Sequence, residues 1–70
     1  MITLEQIRAK LIEAISQSGM SQTQIAKLLG INMTQICSYL HGRKMPALDT
    51  FANLCAVLDL DANEILCVKP

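Results

Sequence analysis

The amino-acid sequence predicts an all-α domain, a compact bundle of five helices. Three observations predict it. Helix starts of one design recur four times, glycines stand where helices should stop, and no alternation of apolar and polar residues is left over for strands. Seventy residues leave room for one domain spanning 1–70, and a chain this short buries only about 60% of the surface it exposes when unfolded.

The first helix is expected to start at Thr3, with Gln6 three residues on as its capping-box partner. Ser21 pairs in the same way with Gln24, Asn32 with Gln35 and Asp61 with Glu64. Each cap is flanked by an apolar pair that can form a hydrophobic staple: Ile2 with Ile7, Met20 with Ile25, Ile31 with Ile36, and Leu60 with Ile65. A further helix, from about Ala47 to Leu58, follows Pro46, which tolerates a first turn but not a helix interior. Gly19, Gly30 and Gly42 fall at the expected stops. Leu4, Ile7, Leu11, Ile12 and Ile15 follow one buried stripe of the first helix, as do Phe51, Leu54, Cys55 and Leu58 in the fourth.

Composition narrows the function. The three cysteines, Cys37, Cys55 and Cys67, have neither disulfide-framework nor zinc-site spacing, so reduced thiols in a cytoplasmic protein are expected. No run approaches the ~18 apolar residues of a membrane span, and no membrane partner is expected. One histidine, no paired carboxylates and no glycine-rich phosphate loop leave nothing from which to assemble a catalytic site, so the chain is not expected to be an enzyme. No cofactor is expected. Cys37 and His41 lie one helical turn apart, but two further ligands for a metal are missing. A redox role for Cys37 is a minor alternative.

The net charge of zero argues against nucleic acid; its distribution answers that objection. Residues 1–45 carry five cations against two acids, a local +3, and the remaining residues carry −3. The segment from about 21 to 42 reads as a short helix, a turn at Gly30–Asn32, and a second short helix. Ile25, Ala26 and Leu29 face inward from the first of these, and Ile36 with Tyr39 packs the second down. Met33, Thr34, Cys37, Ser38 and His41 are left facing outward. Such short or flexible side chains can enter a major groove about 12 Å wide.

The run SQTQIAKLLGINMTQICSYLHGRKMPALDTFANLCAVLDLDANEIL resembles the lambda-repressor-like, or Cro/C1-type (XRE), helix-turn-helix family. The likeness rests on several residues together: the Ser-Gln start, Ala five positions after that Ser, Gly four after the Ala, a Gly-x-x-x-Pro stop, and a closing Leu-x-x-Asp-x-x-Glu-Ile-Leu. It covers nearly the whole chain. It implies a five-helix DNA-binding domain with the helix-turn-helix as helices 2 and 3, and a transcriptional regulator, a repressor by preference, on double-stranded DNA. It also implies base-reading roles for Met33, Thr34, Cys37 and Ser38, and phosphate-binding roles for Gln22, Asn32, Arg43 and Lys44. The family often has a charged residue where Ser38 stands and a Glu where Leu40 stands. Their absence implies modest affinity, or reliance on DNA shape, and leaves Leu40 apolar near the surface.

The resemblance further implies a homodimer reading two half-sites. A C-terminal helix at about 61–68 is the expected seam, through Ile65, Leu66, Cys67 and Val68, which are more apolar than a short terminal helix needs for its own core. The alternative function is a protein-interaction module, such as an antitoxin or an anti-repressor-like regulator. Neutral charge and 51% hydrophobic content favour that alternative.

Overall fold

The computed structural model describes residues 1–68, in five helices: α1 (Leu4–Gln17), α2 (Gln22–Leu29), α3 (Met33–Leu40), α4 (Leu48–Leu58) and α5 (Ala62–Ile65). No strand occurs among the described residues.

The helix starts follow from side-chain length. At Thr3 and Ser21 the capping box closes in both directions. The Gln6 and Gln24 amides donate to the hydroxyls at 3.2 Å, and the Thr3 and Ser21 amides donate back to the glutamine carbonyls at 2.8 and 3.0 Å. Asn32 and Asp61 behave differently from the expected boxes. Their side-chain oxygens accept from the amides two residues on, Thr34 at 2.8 Å and Asn63 at 3.0 Å, the Asx-type geometry of these side chains. Gln35 is thereby released from any capping duty. Of the expected staples, Met20, Ile31 and Leu60 pack against the core, while Ile2 stays exposed.

Every helix ends on a residue in the left-handed region: Gly19, Gly30, Gly42, Asp59 and Cys67. After α2 and α3 the two bonds of a Schellman motif are complete. Ile31 N–H reaches the Ala26 carbonyl at 3.1 Å, and Arg43 N–H the Ser38 carbonyl at 3.0 Å. Cys67 ends α5 at its fourth residue, so the helix expected over 61–68 spans Ala62–Ile65. The same conformation at Asp59, φ 54°, costs a side-chain-bearing residue about 1 kcal/mol, and its carboxylate lies at the negative end of α4. Asp59→Gly is expected to stabilise the domain by roughly 1 kcal/mol, read as a rise in thermal midpoint of about 4–8 °C.

All five helices contribute to one core of Leu11, Ile15, Ile25, Ala26, Ile36, Tyr39, Phe51, Leu54 and Ile65. No polar or charged residue among those described is buried. Ala26 is buried in α2, which with α3 makes the most extensively packed pair of helices. Leu4 departs from the expected stripe: in the first turn of α1 it lies beyond the packed elements and is exposed. Leu40 also departs, being half-buried against the core rather than standing at the surface. Ile65, expected at a dimer seam, is 3% exposed and completes the core of a single chain.

Candidate nucleic-acid interface

With Ile36, Tyr39 and Leu40 turned inward, the ~100° advance per residue sets Thr34, Ser38 and His41 within about 40° of the direction opposite Ile36. They form the outward ridge of α3. Cys37, half-buried, lies about 80° to one side of it, and Met33, about half exposed, lies on the same side about 120° away.

Local bonds decide what each side chain still offers. Ser38 Oγ donates to the Thr34 carbonyl at 3.0 Å, so its proton is engaged and its lone pairs remain to accept. Thr34 is exposed with its hydroxyl free of any bond described for the chain, so it can donate or accept. Asn32 spends its carbonyl oxygen on the cap, leaving its two amide protons as donors. His41 Nδ1 lies 2.8 Å from the Cys37 carbonyl and 3.4 Å from Cys37 Sγ, which folds the imidazole back along the helix. No group of three or more metal-ligating side chains occurs among the described residues. All three cysteines are free thiols. Burial, reinforced by the nearby Asp61 charge, pushes the Cys55 thiol up and keeps it protonated.

Gln22 is half-buried at the first position of α2, and Arg43 and Lys44 stand exposed just past the left-handed Gly42. From Ala14 to Leu48 the chain has no acidic residue at all. Lys27, Arg43 and Lys44 therefore meet no opposing carboxylate from within the helix-turn-helix.

Three residues join those expected from sequence. Gln35 is exposed, and its carboxamide has no partner among the described residues. Its pairing with Asn32 as a capping box concealed it in the sequence. Thr23 donates to Met33 Sδ at 3.2 Å, fixing the Met33 side chain from α2. Arg8 lies against the end of α3, its Cδ 3.1 Å from the position a Cβ on Gly42 would occupy. Its Nε is buried without a partner. No periodic signal in the sequence marks Thr23 or Arg8, because both act across helices. Gly42→Ala meets both a positive φ and the Arg8 stem, and is expected to cost about 1–2 kcal/mol in a urea melt.

The chain matches the helix-turn-helix family model over residues 7–65. No curated protein and no solved structure matches it. The matched span holds nearly all of α1, the whole of α2 to α5, and the acid-free α2–turn–α3 unit. By that match and this architecture, the chain belongs to the lambda-repressor-like, Cro/C1-type helix-turn-helix family, a family of DNA-binding regulatory domains rather than of enzymes.

Proposed function

We propose that the chain is a sequence-specific double-stranded-DNA-binding transcriptional repressor, acting in the cytoplasm, that lays α3 in the major groove. The observation that carries this reading is the polar ridge of Thr34, Ser38 and His41 beside Arg43 and Lys44, within an acid-free stretch. Thr34 and Ser38 contact base edges, with Cys37 beside them. Ser38, its proton engaged, accepts from the exocyclic amine of adenine or cytosine, and Met33 meets a thymine methyl. Gln35 adds a carboxamide suited to adenine. Gln22, Asn32, Arg43 and Lys44 hold phosphate, Gln22 and Asn32 with the help of the positive helix ends.

Selection of bound duplexes from a random pool, repeated across salt concentrations, tests the reading. The expected result is a preferred sequence and a steep loss of binding between low and moderate salt. No retention of any duplex at low salt would overturn it. In the Ser38→Ala chain, preference at one base pair is expected to relax about tenfold while the salt slope stays unchanged.

The working form is proposed to be a homodimer on half-sites roughly 34 Å apart. Its seam runs through Leu66, Cys67 and Val68, of which Val68 is the exposed apolar member. Sedimentation at high concentration showing monomer alone would remove the dimer. A second reading, a module that holds a protein as antitoxins and anti-repressor-like regulators do, is favoured by the exposure of Leu28 and Leu48. Absence of duplex binding even at low salt, in a chain that is folded, would favour it.

A further inference from the structure

A groove of about 520 Å³ lies between the C-terminal half of α1 and the junction of α4 with α5. Ala14, Leu58, Leu60 and Ile65 lie at its base, and polar groups make up the larger share of its lining. Around the rim stand Glu13, Asp59, Asp61 and Glu64, four of the six acidic residues in the chain, opposed only by Lys10. No residue between Gly19 and Val57 lines it, so neither α2 nor α3 takes part.

The half-buried Leu58 and Leu60 give apolar side chains a footing, and the carboxylate rim selects for positive charge and repels phosphate. Nucleic acid is therefore the wrong occupant. A bare metal ion is equally unsuited, since no group of three or more ligating side chains converges among the described residues. Asp61 is already engaged as the N-cap of α5, so the rim works through Glu13, Asp59 and Glu64, all exposed.

We propose that this groove docks a lysine- or arginine-rich amphipathic segment of a partner protein. The segment's apolar side chains lie on the floor and its cations on the rim. The surface is separate from α3, so a partner held there leaves the reading ridge open. The proposal stands independently of DNA binding.

Titrating the isotope-labelled full chain with a short synthetic peptide of leucine and lysine, patterned as an amphipathic helix, tests it by nuclear magnetic resonance. Saturable shifts are expected at Ala14, Gln17, Leu60 and Glu64, with Thr34 and Ser38 unmoved. The matching leucine–glutamate peptide is expected to cause none. A Glu13→Gln, Glu64→Gln chain is expected to bind the cationic peptide about tenfold more weakly with an unchanged thermal melt. The proposal is overturned by a failure to saturate, by equal binding to the substituted chain, or by shifts centred on α3. Concentration-dependent shifts at the same residues without peptide would overturn it too, assigning the groove to a second copy of the chain.

Discussion

Replacing Arg43 and Lys44 together with alanine is expected to weaken duplex binding by roughly 10–100-fold near 0.1 M salt. The slope of log affinity against log salt is expected to flatten by about two. Each cation releases about one condensed counterion when it neutralises a phosphate, so two lost contacts remove two such releases. Both side chains are exposed, outside the core, and beyond the last turn of α3. The substituted chain should therefore unfold within about 0.5 kcal/mol of the parent. Phosphate carries no sequence information, so preferred and random duplexes should lose affinity alike. That uniform loss separates these residues from Ser38, whose replacement changes preference at one base pair and leaves the slope alone. Fluorescence anisotropy over a salt series checks both; an unchanged slope would show that Arg43 and Lys44 do not hold phosphate.

Ile36→Ala is expected to destabilise the domain by about 2–5 kcal/mol. Ile36 is fully buried on the underside of α3, where truncation leaves a void beneath the ridge. A domain of this size has a total stability of roughly 4–10 kcal/mol, so the substituted chain should be substantially unfolded near 37 °C. Duplex binding should fall with the folded fraction and recover on cooling toward the temperature of greatest stability. Ile36→Leu, which nearly conserves volume, should cost less than about 1.5 kcal/mol and keep binding. Urea unfolding followed by circular dichroism measures both. An Ile36→Ala chain as stable as the parent would mean that α3 is held down mainly by Tyr39 and Leu40.

Most of the fold was legible in the sequence because its punctuation is local. Thr3 with Gln6 and Ser21 with Gln24 each close a reciprocal box using only residues three apart. Gly30 and Gly42 take the left-handed conformation expected of them. The errors arise where local chemistry allows two outcomes or where the answer lies on another helix. Asn32 and Asp61 can cap the second or third amide, and both take the second. Asp59 and Cys67 enter the left-handed region without the glycine that would have announced it, which is why α5 is shorter than expected. Leu4 continues the period of the α1 stripe, yet no element reaches it. The candidate site shows the same division. The outward ridge of α3 follows from its helical period. The Thr23–Met33 bond and the Arg8 stem over Gly42 are tertiary facts that no spacing reveals.

The concentration of carboxylates around one groove and their absence from Ala14 to Leu48 have a consequence for how the molecule meets a polyanion. A particle with no net charge is not drawn in from afar as a basic protein would be. Its separated charges nonetheless make it a dipole, and a field that exerts little pull on a dipole still exerts a torque. Near DNA the molecule should be turned before it is held, with its acidic groove outward. Collisions that begin with the wrong face forward can then be corrected by rotation within about one Debye length of the surface.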